Sequence, residues 1–234
     1  MARQSNLIYR HTIVTRVTHW IWAASLFFLM LTGLQIFNAH PALYVGEQSG
    51  FEFDNAILKF GAPPIPGWAT IPSGQDLATG RVIHFFFAWI FLGTVMIWAI
   101  GAILSGHFFR DLLPRLKDFR SLTKDIVDHL GFRFSHGRSY GPLQKLSYAV
   151  VLFGLFPLMI FTGLAMSPGA NAALPWLTDA FGGRQTARTL HFVGMALLFA
   201  FFIVHMAMIV LAGPLNELRA IITGYYRANE GDPQ

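Results

Sequence analysis

Four long stretches of this 234-residue chain contain no Lys, Arg, Asp or Glu, and they constrain its fold more than any other feature. A helix needs about 20 apolar residues to cross a hydrocarbon core about 30 Å thick, where its backbone groups must bond to one another. The first stretch follows Arg16 and runs through Phe37, and the second runs from Val82 to Phe109. The third starts after Lys145 and reaches Ser167, and the fourth runs from Thr189 to Gly213. His40-Pro41, Ser167-Pro168-Gly169 and Gly213-Pro214 are breaker signals at the exits, and Gly106 precedes a charged segment. The chain is therefore expected to be an all-α integral membrane protein. Its four-transmembrane-helix bundle covers about residues 14–37, 81–106, 146–167 and 188–213, in a single membrane domain over 1–234. The first stretch is too long for a signal-peptide apolar region, and Phe37-Asn38-Ala39-His40-Pro41 makes a poor cleavage site.

Composition removes several chemistries. Hydrophobic residues make up 54% of the chain and charged ones 12%, far from the balance of a soluble domain. There is no cysteine, which excludes disulfides, thiolate iron-sulfur clusters and covalently attached c-type haem.

Lys and Arg set the expected orientation. Arg3, Arg10 and Arg16 precede helix one, and the segment of about residues 107–145 carries a run of cations from Arg110 to Lys145; Arg219 and Arg227 follow helix four. The opposite side has Lys59, Arg81, Arg184 and Arg188 with Glu47, Glu52, Asp54 and Asp76 beside them. Both termini and the 107–145 loop are thus expected in the cytoplasm, and the 38–80 loop in the periplasm of a bacterial inner membrane. The high pI then reflects contact with membrane lipid rather than nucleic acid. Residues 110–130 mix Leu112, Leu113, Leu116, Phe119, Ile126 and Val127 with charges at helical spacing, which predicts an amphipathic surface helix between helices two and three. The Pro/Gly-rich 38–80 loop is long enough to cover a cofactor or bind a partner.

Four intramembrane histidines each need a reason, because an ionisable group inside a bilayer is costly. His191 and His205 lie 14 residues apart on one helix, within about 40° of one face and about 21 Å apart along the axis. His19 enters at the cytoplasmic level of His205, and His84 at the periplasmic level of His191. Two level pairs of imidazoles, without carboxylate or thiolate beside them, suit the axial positions of two haem b irons. A closed zinc site needs four donors and each pair has two.

Arg16, Arg81 and Arg188 each stand three residues before a histidine, one turn away toward the water interface. They are either flanking snorkelling cations or contacts for haem propionates. The helices also repeat: Leu31-Thr32-Gly33-Leu34 matches Phe161-Thr162-Gly163-Leu164, and Arg81-Val82-Ile83-His84-Phe85 matches Arg188-Thr189-Leu190-His191-Phe192. In that register Ala149 stands in place of His19 and Trp98 in place of His205. Gly33, Gly93, Gly154, Gly163 and Gly194 serve either a flat macrocycle near the backbone or close helix packing.

A His early in helix one, Arg-x-x-His-Phe opening helix two, and two His 14 apart on the last helix resemble a known family. These features are similar to the b-type cytochrome subunits of formate dehydrogenases, nickel-iron hydrogenases and thiosulfate reductases, over nearly the whole chain. The first loop and Phe181-Gly182-Gly183-Arg184-Gln185 look most like members that accompany a molybdopterin-dependent oxidoreductase. The resemblance implies that His19 and His205 ligate a cytoplasmic-side haem and His84 and His191 a periplasmic-side haem. It implies electron exchange between a periplasmic redox subunit and quinone, with no catalytic residue of the chain's own.

Quinone reduction at the cytoplasmic face needs protons, and Tyr9, His11, His136, Arg138 and Tyr140 are polar groups expected on that side. A smaller four-helix branch of the same family is similar to membrane superoxide oxidases, which makes a stand-alone superoxide:quinone oxidoreductase the alternative. The balanced charge of the outer side fits that less well than protein docking. A cofactor-free anchor or transporter is the second alternative, poorly matched by level His pairs without intramembrane carboxylates.

Overall fold

The structure of the chain is a computed structural model and describes residues 6–50, 53–61, 63–106, 123 and 142–228. Apart from Thr123, the expected surface helix over 110–130 lies outside the described residues, as do His136, Arg138 and Tyr140. Four helices are long and apolar enough to cross a membrane: Ile13–Asn38, Leu77–Leu104, Leu143–Met166 and Arg184–Ala212. Even the shortest, of 24 residues, reaches about 36 Å, more than the hydrocarbon thickness. Val82, Trp89, Ile97, Leu104, Val204 and Val210 on these helices are each at least 60% exposed, as suits helices whose solvent is lipid.

Local chemistry decides where the helices start. Thr12 Oγ1 accepts the Thr15 N–H at 3.2 Å and caps helix one. Helix two begins at Leu77, a turn before the expected 81, because Asp76 Oδ1 accepts the Thr79 N–H at 3.0 Å. That backbone bond is the main reason the Asp76 carboxyl is held below its ordinary range. The last long helix also starts a turn early, at Arg184, where the Glu47 carboxylate accepts the Arg184 N–H at 3.2 Å. A cap supplied from 137 residues away leaves no trace in the local charge pattern.

Helix three changes pitch along its length. It is α-helical over Pro142–Ala149, π-helical over Val150–Leu155 and α-helical again over Phe156–Met166. Pro157 has no N–H to donate to residue 153 and its ring crowds the preceding turn, so the wider π turns take up the mismatch.

The described chain forms two compact units. The first comprises residues 1–20, 95–154 and 200–234. In it, strand Asn6–Tyr9 pairs antiparallel with Tyr225–Ala228, and the Tyr9 and Tyr225 rings meet edge-on at 5.4 Å. The short helix Pro214–Thr223 lies between Gly213 at φ 106° and Gly224 at φ 91°, both left-handed positions that favour glycine. Arg10 bridges Glu217 at 3.4 Å and covers the Tyr226 ring at 5.1 Å.

The second unit comprises residues 21–94 and 155–199. Its first loop is ordered by specific bonds rather than left as an open connector. Ala42–Leu43 pairs with Leu58–Lys59, and the Asn38 side chain bonds both the N–H and the C=O of Ile65. Tyr44 is fully buried, and its backbone N–H and C=O both bond the Thr189 hydroxyl, at 3.2 and 2.7 Å. The Gly46 carbonyl accepts from Gln185 N–H at 2.9 Å and Thr186 N–H at 3.3 Å. Beneath the short helices Pro168–Ala173 and Trp176–Ala180, a small core gathers Ala165, Leu177 and Ala187.

Candidate functional site: two facing histidine pairs

In the second unit, His84 of helix two faces His191 of the last long helix, with ring centroids 6.3 Å apart and planes at 60°. Each ring is backed by a threonine and a glycine from a neighbouring helix. Thr32 Oγ1 lies 3.0 Å from His84 Nδ1, and Thr162 Oγ1 lies 2.9 Å from His191 Nδ1. The hydroxyl protons are already placed: Thr32 donates to the Phe28 carbonyl at 2.6 Å and Thr162 to the Leu158 carbonyl at 2.5 Å. With that proton directed to the carbonyl, each threonine oxygen is left to accept from its imidazole, an arrangement that suits the tautomer with Nδ1 protonated and Nε2 free. A β-carbon at Gly33 would stand 3.5 Å from His84 Cε1, and one at Gly163 would stand 3.4 Å from His191 Cε1. The repeated Thr-Gly is thus a seat for an imidazole edge, a use that neither the macrocycle nor the helix-packing expectation named. Gly194 does serve packing, against Met159 and Leu158, whereas Gly93 and Gly154 have nothing within 4 Å of a β-carbon position.

In the first unit, His19 and His205 face each other with centroids 6.5 Å apart and planes at 50°. Their supports are aromatic. Trp20 meets His19 edge-on at 5.5 Å, and Phe201 stacks on His205 at 5.7 Å. His19 Nδ1 is buried without a hydrogen-bond partner among the described residues.

The separations suit one metal atom between each pair. A metal–imidazole bond is about 2 Å and the ring nitrogen lies about 1 Å from its centroid, so two trans ligands give about 6 Å between centroids. Among the described residues no group of three or more His, Asp or Glu gathers to hold a metal, so each pair offers two donors, which would hold a group that brings its remaining ligands with it. The donor set fits haem and not a closed zinc site.

The three arginines differ. Arg81 is exposed, with its guanidinium 5.9 Å from the Phe85 ring centroid. Arg188 is half-buried; it donates through Nη2 to the His40 carbonyl and lies 5.9 Å from the Phe37 ring centroid. Arg16 turns toward Gly224, and its buried Nε has no partner among the described residues. Tyr9 and His11 both lie in the first unit, and the His11 N–H reaches the Gly224 carbonyl at 3.4 Å. Burial, then the charge of Arg10, pushes His11 down to about 4. Thr32 and Thr162 are the site residues that sequence reasoning missed; the signal was there in the repeated Thr-Gly, without the helix facing needed to interpret it.

The chain is similar to known proteins over most of its sequence. The family model described as prokaryotic cytochrome b561 matches residues 10–224. A protein of Azospira oryzae named putative protein-methionine-sulfoxide reductase subunit YedZ1 is 27% identical over 90% of this chain and 93% of its own. Proteins named probable Ni/Fe-hydrogenase B-type cytochrome subunit are 26% identical in Rhizobium leguminosarum (88% of this chain, 80% of theirs) and 23% identical in Cupriavidus necator (93% and 86%). With the matched region running from before the first spanning helix to beyond the fourth, the chain belongs to the prokaryotic cytochrome b561 family, as a membrane cytochrome of b type.

Proposed function

We propose that this chain is a di-haem b membrane cytochrome that carries electrons between a periplasmic redox subunit and the quinone pool of the bacterial inner membrane, with both termini cytoplasmic. The observation that carries the reading is the pair of facing imidazoles in each unit, at 6.3 and 6.5 Å. His84 and His191 hold one haem, and His19 and His205 the other. Haem b, when bound, supplies reversible one-electron chemistry. The orphaned Arg16 Nε supports an anionic partner for that side chain, and Arg16, Arg81 and Arg188 are assigned to the propionates.

The names of the relatives, subunits of a methionine-sulfoxide reductase and of hydrogenases, support a redox partner, here a molybdopterin-dependent oxidoreductase. The bonded outer loop supports a docking role, since a pre-ordered surface loses little entropy on binding. Trp68, 86% exposed, and Trp176, 59% exposed, belong to that side. Tyr9 and His11 are assigned to the polar surroundings of the quinone on the cytoplasmic side, with His11, lowered to about 4, neutral at physiological pH and so a hydrogen-bonding group rather than a proton acceptor.

Purification from native membranes tests the proposal. Two haems per chain are expected, extractable by acidified organic solvent, with a redox subunit copurifying and quinone reduced through the complex. One haem or none overturns the di-haem reading. A solitary chain that reduces quinone with superoxide replaces the partner-subunit reading with the oxidase one.

A further inference from the structure

The two threonines behind the His84–His191 pair do more than fill space. We propose that Thr32 and Thr162 are positioning residues: each takes the Nδ1–H of its imidazole, presents Nε2 unprotonated, and holds the centre between the rings at a lowered reduction potential. The inference rests on the haem assignment made above for this pair.

The geometry carries it in three steps. Each hydroxyl donates to a carbonyl one turn back on its own helix, at 2.6 and 2.5 Å, so its rotor is locked and its lone pair faces the histidine. Each Nδ1 lies at 3.0 or 2.9 Å from that oxygen, within ordinary hydrogen-bond distance. Both threonines are fully buried, so water does not compete for the bond. An imidazole that donates its distal N–H is a more basic ligand, and a more basic ligand favours the more positively charged oxidised metal. Removing the acceptor should therefore raise the potential. The arrangement occurs twice in the repeat, so the effect should too. For His19 and His205 no such hydroxyl stands behind the rings among the described residues, which makes that pair an internal reference.

Redox titration of the full-length holoprotein, followed by absorbance, tests this. His84→Ala marks which haem component belongs to the pair. Thr32→Val and Thr162→Val, near-isosteric without the hydroxyl, should each lower the oxidised-to-reduced ratio of that component about tenfold at a fixed potential, an upward shift of about 59 mV in its midpoint for one electron. The double variant should move it further, Thr→Ser should restore it, and the other component should stay in place. Thr32→Ala and Thr162→Ala give the same reading should the valine proteins hold haem poorly. Hydroxyl-free variants that keep two haems at wild-type potentials overturn the inference, as does an equal shift of both components. If His84→Ala removes no haem component, the haem assignment itself fails, and this inference with it.

Discussion

A β-carbon at Gly183 would lie 2.5 Å from both the carbonyl carbon and oxygen of Gly46, so these two glycines mark where the first loop clamps onto the start of the last long helix. Gly183 is also left-handed, at φ 111°. Gly183→Ala should therefore carry both a steric conflict with backbone and a conformational cost, together more than about 2 kcal/mol. Gly46→Ala, with nothing within 4 Å, carries only the conformational part. Thermal melting should show the larger loss for Gly183→Ala, with faster proteolysis at Lys59; equal melting of the two variants would mean the clamp is not where the loop is held.

Replacing either member of a histidine pair should remove the same half of the haem spectrum, and replacing a member of the other pair should remove the other half. His84→Met offers a companion to His84→Ala, since Met still ligates iron and raises its potential. Spectra in which His84→Ala and His205→Ala delete one common component would refute the pairing.

Topology rests on Lys and Arg in the flanks, independent of the histidines. Reporter fusions after Gln234 and near Lys124 should read cytoplasmic, and one near Gln48 periplasmic. The opposite pattern exchanges the sides assigned to the two pairs.

Arg10 and Glu217 join the N-terminal strand to the short helix Pro214–Thr223, with side chains 16% and 19% exposed. A double-mutant cycle with Arg10→Gln and Glu217→Gln should give a coupling of about 0.5–1 kcal/mol that shrinks with added salt. No coupling at low salt would reduce the bridge to a chance approach.

His11 contributes to the acid limb of stability. Its pKa is about 4 in the folded chain, below the ordinary 6.5. Its contribution is therefore full above pH 6.5 and is lost as pH falls toward 4, where the unfolded chain binds the proton more readily. His11→Gln should make the melting temperature fall less steeply across that window, and an unchanged acid slope would assign the effect elsewhere.

The spanning helices were legible because lipid demands uncharged length, and the four histidines because no Lys, Arg, Asp or Glu stands in those stretches. What was not legible is what depends on contacts distant in sequence. Glu47 caps a helix 137 residues away, and Asn6–Tyr9 pairs with Tyr225–Ala228 from the other end of the chain. Thr32 and Thr162 stood in a visible repeat, yet a Thr on an apolar helix ordinarily bonds its own backbone, and both do. Only the facing of the neighbouring helix reveals that the same oxygen has a second partner.

The near-identity of the two halves around His84 and His191 creates a degeneracy. A planar group seated between these rings would meet a threonine-backed imidazole with a glycine beside it on either face. The imidazoles would fix where such a group sits and say little about which way round it goes. That choice would pass to where the two matched arginines differ in their surroundings: Arg81 is exposed beside Phe85, and Arg188 is tethered to the His40 carbonyl. A site built by copying keeps its handedness in the positions where the copies have diverged.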